Sequence, residues 1–192
     1  MQLKYLCRNS RCIEAEETDC LLVFLQANNT LGKVANAIDK KAGGLIRKRI
    51  ESGDVGNKSG DTCLLFEPPG LSSQRLLIVA TGDNDMCDRD FIELSQRLSQ
   101  ACVGLAISSI SLCLDDIVVK ERDLSWTARL LTEAFSYSNY RFDDFKTTVE
   151  KENTLETVSF LVSKNTCSYV PETSKTLCKA SLLTKKSVQE CN

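Results

Sequence analysis

A run of six apolar residues, Cys20 to Leu25 (CLLVFL), constrains the fold more than any other feature of the chain. A strand with one face in water would alternate apolar and polar residues, so an unbroken apolar run is typical of a strand covered on both faces. We therefore expect residues 18–26 to form a central strand. Such strands belong mostly to α/β proteins, in which helices pack on both sides of the sheet.

Other strand and helix patterns alternate along the chain. Apolar runs predict strands over residues 2–7, 61–67, 74–80, 107–114 and 155–162. Helical spacing predicts helices from Leu31 to Ile50, from Phe91 to Leu105 and over 124–140, with Thr30 and Asp88 as caps. This order predicts an α/β fold of three layers, α/β/α, around a mostly parallel mixed sheet.

The chain of 192 residues has room for one domain and a short tail. We expect the domain to cover residues 1–163 and a polar tail to cover 164–192, with a weak helical pattern over 172–189. Lysine and arginine interrupt the N-terminus where a secretory signal needs an apolar segment, and the longest apolar stretch is too short to span a bilayer. These features predict a cytoplasmic protein with no membrane partner.

Histidine is absent, and this absence excludes several classes of chemistry. Ser-His-Asp and Cys-His catalysis, histidine-ligated zinc and haem all need an imidazole. Carboxylates, lysine, tyrosine and cysteine remain. The 24 basic and 26 acidic residues give a net charge of −2, so any surface for nucleic acid must be local.

Ten cysteines suggest disulfides or zinc, but their spacing favours neither. No Cys-x-x-Cys pair occurs, and Cys20, Cys63 and Cys113 lie inside apolar runs. Cysteine in such a run is usually a small buried apolar residue. We expect core thiols in a reducing compartment.

Two neighbouring segments are candidate binding sites. Gly43 and Gly44 interrupt a helical pattern, and they either let backbone N–H groups approach a phosphate or mark a kink between two helices. Around them, basic residues outnumber the single acidic residue, Asp39. They either form a surface that contacts an anion or a nucleic acid, or they are the solvent-exposed face of a helix. The basic residues are Lys33, Lys40, Lys41, Arg47, Lys48 and Arg49.

Paired carboxylates occur at Asp115–Asp116 and Asp143–Asp144. Such pairs can bind a divalent ion or transfer protons, but adjacent residues do not share a face of a strand or a helix. Loop ends and helix caps, exposed to solvent, explain them better. The residues alone therefore show no catalytic constellation.

One segment carries a family resemblance. Trp126, Ala128, the sequence AFSY at 134–137 and the sequence YRFDDFKT at 140–147 resemble the end of the N-terminal domain of leucyl (cytosol) aminopeptidases. Upstream matches follow in the same order and extend the likeness over residues 1–163. These matches are GGLIR at 43–47, Lys58, Gly60, TCLL at 62–65, RLLIV at 75–79 and Gly82.

The resemblance implies a macro-like α/β/α domain that precedes a larger catalytic domain. In the family, that second domain holds two divalent metals, manganese or zinc, and the enzyme assembles into a hexamer. No metal ligand or catalytic residue of the family falls on residues 1–192, so we expect no cofactor and no peptidase activity from this chain alone.

The function implied is therefore an accessory and assembly domain of a cytosolic leucyl aminopeptidase. Its partners are the catalytic domain of the same polypeptide and further copies of the enzyme. One alternative is a macro-like module that binds ADP-ribose or a nucleotide, with Gly43 and Gly44 as a phosphate loop. Another is a DNA-contacting regulatory domain that uses Lys40, Lys41, Arg47, Lys48 and Arg49.

Overall fold

The computed structural model describes residues 3–82, 86–139 and 154–162. Within these ranges the strands are β1 (Lys4–Asn9), β2 (Cys20–Gln26), β3 (Thr30–Leu31), β4 (Thr62–Phe66), β5 (Arg75–Ala80), β6 (Ser109–Cys113) and β7 (Thr157–Val162). The helices are α1 (Lys33–Lys41), α2 (Leu45–Glu51), α3 (Asp88–Gly104) and α4 (Leu124–Asn139). The sequence YRFDDFKT, Asp143–Asp144 and the tail over 164–192 lie outside the described residues.

The strands form one sheet in the order β1-β7-β6-β2-β5-β4, and β3 pairs with β2 off this path. The pairs β1–β7, β7–β6, β6–β2 and β2–β5 are parallel, whereas β4 runs antiparallel to β5 and β3 antiparallel to β2. The mostly parallel mixed sheet is thus confirmed. The apolar run lies in β2, between β5 and β6, as expected for a central strand.

Successive side chains of β2 enter two different cores. Leu22 and Phe24 pack with apolar residues of α3 and α4 on one face of the sheet. Leu21 and Val23 pack on the other face with residues of α1 and α2. Since every residue from Cys20 to Leu25 is at most 1% exposed, the strand needs apolar side chains at each position. The three-layer arrangement is confirmed.

The helix boundaries differ from the predicted caps at two places. Thr30 lies in β3, where it pairs with Gln26, and α1 begins after Gly32. Asp88 is already in the first turn of α3, and Cys87 is the N-cap. The Cys87 N–H donates to the Asp90 carboxylate at 3.1 Å. No helix in the described ranges is long and apolar enough to cross a bilayer.

Candidate functional site

The two glycines between α1 and α2 adopt left-handed backbone conformations. Gly43 has φ +65° and Gly44 has φ +77°, and a Cβ built on either residue would meet no atom within 4 Å. Backbone conformation, not crowding, therefore favours glycine here. The helical pattern breaks at this point, as the kink interpretation predicted.

A buried carboxylate occupies the start of α2, next to these glycines. Asp39 is 1% exposed, and it accepts hydrogen bonds from the backbone N–H groups of Ile46 at 2.8 Å and Arg47 at 3.2 Å. These are the N–H groups that a phosphate at the glycines would use. A phosphate would have to displace Asp39, and the phosphate loop at Gly43 and Gly44 stays a prediction.

Ion pairs reduce the local positive charge of the predicted basic patch. Arg47 lies 3.5 Å from Asp39, Arg49 3.1 Å from Asp54, and Lys41 3.9 Å from Glu14. No carboxylate in the described part of the chain forms an ion pair with Lys40 or Lys48, which are both exposed. Together with Lys33, which is also exposed and forms no ion pair with described residues, these two lysines are the members of the patch best placed to contact an anion.

A second buried carboxylate joins the end of β6 to the start of α1. Asp116 is 3% exposed, and its Oδ1 and Oδ2 accept hydrogen bonds from the N–H groups of Val34 at 3.2 Å and Ala35 at 2.8 Å. A Cβ on Gly32 would lie 2.6 Å from the Asp116 carboxyl group, so glycine is needed for this close approach. The expectation of a solvated Asp116 was wrong, while the expectation of a helix cap was right.

The described residues do not fit a metal centre. No group of three or more Cys, Asp or Glu side chains among them could hold an ion. Asp116 and Asp39 each bind the backbone of a helix start instead. We therefore derive no catalytic step through a metal from these residues.

The cysteines in the core are inert thiols. Cys20, Cys102 and Cys113 are buried, as their apolar surroundings in the sequence predicted. Burial raises the pKa of Cys20 and of Cys113 to about 12 and also raises the pKa of Cys102. Such thiols remain protonated near neutral pH and are poor nucleophiles and metal ligands.

A shallow groove of about 160 Å³ lies between α3 and α4. Ile92, Leu130, Ala134 and Tyr137 contribute to its walls, and Tyr137 is 81% exposed. None of the predicted site residues lines this groove.

Solved structures with the same fold include an aminopeptidase and several macrodomains. A mutant of tomato leucine aminopeptidase matches 95% of this chain and 37% of its own, with a TM-score of 0.65 and 14% identity. A mutant macrodomain of Oceanobacillus iheyensis matches 93% of both chains, with a TM-score of 0.67 and 17% identity. A Trypanosoma brucei macrodomain in complex with ADP-ribose matches 92% of this chain and 68% of its own, with a TM-score of 0.63 and 13% identity. At these identities the likeness establishes the macro-like fold alone.

Relatives that are similar in sequence identify the family, which the fold alone does not. The probable cytosol aminopeptidase of Haemophilus influenzae is 31% identical over 159 residues, which cover 82% of this chain and 32% of the relative. The corresponding protein of Pseudomonas syringae is 34% identical over 152 residues, which cover 79% of this chain and 31% of the relative. The chain thus spans about a third of the length of these relatives.

The sequence profile of the cytosol aminopeptidase family, N-terminal domain, matches residues 22–148. This range includes the Gly43–Gly44 break, both buried aspartates and the sequence YRFDDFKT that carried the resemblance. The chain therefore belongs to the cytosol aminopeptidase family, whose N-terminal domain it contains.

Proposed function

We propose that this chain acts as the N-terminal accessory and assembly domain of a leucyl aminopeptidase. The match of the N-terminal domain profile to residues 22–148 carries this proposal. The matched region covers about a third of each aligned relative, which leaves room for a separate catalytic domain. The apolar cores on both faces of the sheet suit a scaffold role.

In this proposal the catalytic domain binds two divalent metals, manganese or zinc, and uses them to hydrolyse the N-terminal peptide bond of a substrate. Among the described residues of this chain, no group of three or more side chains could hold a metal ion. Its role is to pack against the catalytic domain and to support the homo-oligomer. The name of the relatives, cytosol aminopeptidase, supports a cytoplasmic location.

A chimaera tests the accessory role. Residues 1–162 of this chain would replace the aligned N-terminal third of the Haemophilus influenzae relative. We expect the chimaera to keep manganese-dependent hydrolysis of a chromogenic leucine substrate and the oligomeric mass of the parent. The isolated chain should show no turnover in the same assay.

A matched control separates family-specific docking from the mere presence of a folded domain. The Oceanobacillus iheyensis macrodomain has the same fold at 17% identity and would be grafted at the same junction. We expect that graft to lose the oligomer or the activity. Equal behaviour of both grafts, or chelator-sensitive turnover by the isolated chain, would contradict the proposal.

A macro-like nucleotide-binding module is the second candidate. The fold that this chain shares with a Trypanosoma brucei macrodomain bound to ADP-ribose supports it. Fold alone does not carry function, since unrelated sites occur on one fold. Calorimetric titration with ADP-ribose decides, and the absence of heat at millimolar ligand removes this candidate.

A further inference from the structure

Strand β4 lies at one edge of the sheet, and among the described strands it pairs with β5 alone. The N–H of Ala80 donates to the Asp61 carbonyl oxygen at 2.9 Å. At the other end of β4, the N–H of Glu67 donates to the Gln74 carbonyl oxygen at 2.8 Å. Because hydrogen-bonded pairs alternate along an antiparallel ladder, the odd-numbered residues of β4 bond to β5. The N–H and C=O groups of the even-numbered residues therefore point away from the sheet.

The outward backbone groups belong to Thr62, Leu64 and Phe66, and we call them the β4 edge. Natural edge strands are usually protected from pairing with another chain by a charged side chain, a proline or a bulge. Strand β4 (TCLLF) contains no charge and no proline, and its register with β5 is continuous. Thr62 and Phe66 are exposed, and Phe66 is 68% exposed. The β4 edge is thus a template for one further strand.

A second copy of this chain fits the β4 edge in an antiparallel register. A two-fold axis at Cys63 sets Thr62 of each copy opposite Leu64 of the other, and each such pair exchanges two backbone hydrogen bonds. The Cys63 residues of the two copies then form a non-hydrogen-bonded pair, with Cα atoms about 4.5 Å apart. Asp61 lies opposite Leu65 in this register, so it faces no like charge.

Other positions of the two-fold axis are less favourable. An axis one residue later sets Asp61 opposite Glu67, and like charges directly opposite each other destabilise a strand pair. An axis two or three residues later sets Pro68, which has no N–H to donate, opposite an outward residue. An axis one residue earlier requires an extended Gly60, but the φ of Gly60 is +87°. These comparisons favour the axis at Cys63.

We propose that the β4 edge is a self-association surface, where a second copy of this chain adds its own β4 and the two sheets become continuous across a two-fold axis at Cys63. The proposal deepens the assembly role proposed above and rests on it, because it names the surface through which two copies meet. The contact is isologous, so it closes at two copies and leaves no β4 edge open.

Disulfide formation tests the register. The full chain is oxidised with copper phenanthroline, and mass spectrometry identifies the linked peptides. A Cα separation of about 4.5 Å lies within the range of disulfides, so we expect a Cys63–Cys63 link between copies. The matched control combines Cys63→Ser with Leu65→Cys, which moves the thiol along the same half-buried face of β4. The two new thiols would lie about 14 Å apart, too far for a disulfide, and should not link.

A second pair of variants tests the backbone contact. Thr62→Pro removes an outward N–H and leaves the ladder between β4 and β5 intact, whereas Thr62→Ala removes the same exposed side chain and keeps the N–H. Light scattering over a concentration series measures the dimer. We expect the wild type to approach the mass of two chains as concentration rises. Thr62→Pro should raise the Kd of the dimer about tenfold, because two symmetry-related hydrogen bonds are lost, and Thr62→Ala should behave as the wild type.

Three results would overturn the proposal: a wild type that is monomeric at every concentration, a Leu65→Cys control that links as readily as Cys63, or equal dimerisation of Thr62→Pro and Thr62→Ala. If Thr62→Pro does not fold, the comparison of cross-links decides. The accessory role fails separately. A chimaera without hydrolysis contradicts that role even if Cys63 links, whereas an active chimaera together with a monomeric chain contradicts only the contact at the β4 edge.

Discussion

At the scale of single residues, two buried aspartates perform the same task at two helix starts. The first N–H groups of a helix lack partners inside that helix and need an acceptor. Asp39 provides it for α2 from the preceding helix, and Asp116 provides it for α1 from a loop 81 residues away in sequence from Ala35. In both cases a carboxylate oxygen accepts a hydrogen bond from a backbone N–H, and such a bond is stronger than one between two neutral groups.

Asp39→Ala should lower the free energy of unfolding by about 1–3 kcal/mol, because it leaves the buried N–H of Ile46 and the part-buried N–H of Arg47 without an acceptor. Urea denaturation measures this change. Asp54→Ala is the matched control, since its carboxylate is exposed, and it should change stability little. Equal losses in the two variants would contradict the capping role.

The buried thiols should resist alkylation. With a pKa raised to about 12 by burial, Cys20 and Cys113 carry almost no thiolate at pH ~8. We expect iodoacetamide to label the exposed Cys87 in the folded chain and to label Cys20 and Cys113 only after denaturation in urea. Mass spectrometry of the peptides reads the result, and rapid labelling of Cys20 under native conditions would refute it.

At the scale of elements, the break between α1 and α2 depends on backbone conformation. Lys41 ends α1, and the Gly44 N–H donates to the Asp39 carbonyl oxygen at 2.8 Å, so that the chain turns before Leu45 starts α2. This turn brings the Asp39 side chain to the start of α2. The glycines therefore position the carboxylate that caps the next helix.

Gly44→Ala should destabilise the chain by about 1 kcal/mol, because a Cβ is disfavoured at φ +77° even where space is open. Gly104→Ala is the control. This substitution adds the same methyl group at the end of α3, where a Cβ would meet no atom within 4 Å and φ is not positive. It should leave stability unchanged or raise it. Thermal unfolding compares the two, and equal effects would reject the conformational argument.

At the scale of the whole molecule, acidic residues hold both ends of the β2–β6 pair. Asp116 acts at the carboxyl end of β6. Asp19, just before β2, accepts hydrogen bonds from the Ser108 N–H and hydroxyl at 2.7 Å each, and from the Ser109 N–H at 3.1 Å. The Asp19 contacts connect the starts of β2 and β6, which come from distant parts of the chain, and help to fix their register, whereas Asp116 connects the segment after β6 with α1.

Acid should weaken the fold through Asp19. Partial burial would raise the pKa of Asp19, but hydrogen bonds from Ser108 and Ser109 outweigh it and hold the pKa below the ordinary value of 3.8. The stabilisation is therefore complete above the unfolded-state pKa and is lost as the pH falls below 3.8 through the folded-state pKa. Asp19→Asn should show a smaller decline in the free energy of unfolding over this range, and a decline equal to that of the wild type would contradict the assignment.

DNA retention by the basic patch remains a prediction that charge reversal can test. Lys40→Glu with Lys48→Glu reverses two exposed lysines of the patch that form no ion pair with described residues, so the fold should be unaffected. If the patch contacts phosphates, an electrophoretic shift assay at low salt should show weaker retention, because fewer counterions are released. Unchanged retention rejects the patch, and Lys120→Glu with Lys58→Glu controls for net charge.

The layers, the central strand and the break at Gly43–Gly44 were predictable from the amino-acid sequence, because apolar periodicity and backbone preference are local properties that neighbouring residues reveal. The motif YRFDDFKT indicated the family, because a motif is a local run of residues that can be recognised without the fold, although it lies outside the described residues. The capping by Asp39 was not foreseen, although an acidic residue inside a basic segment was a signal for it. The burial of Asp116 at the start of α1 could be seen in the folded chain alone. Its partners lie 81 and 82 positions away in sequence, and the sheet alone brings β2 and β6 side by side.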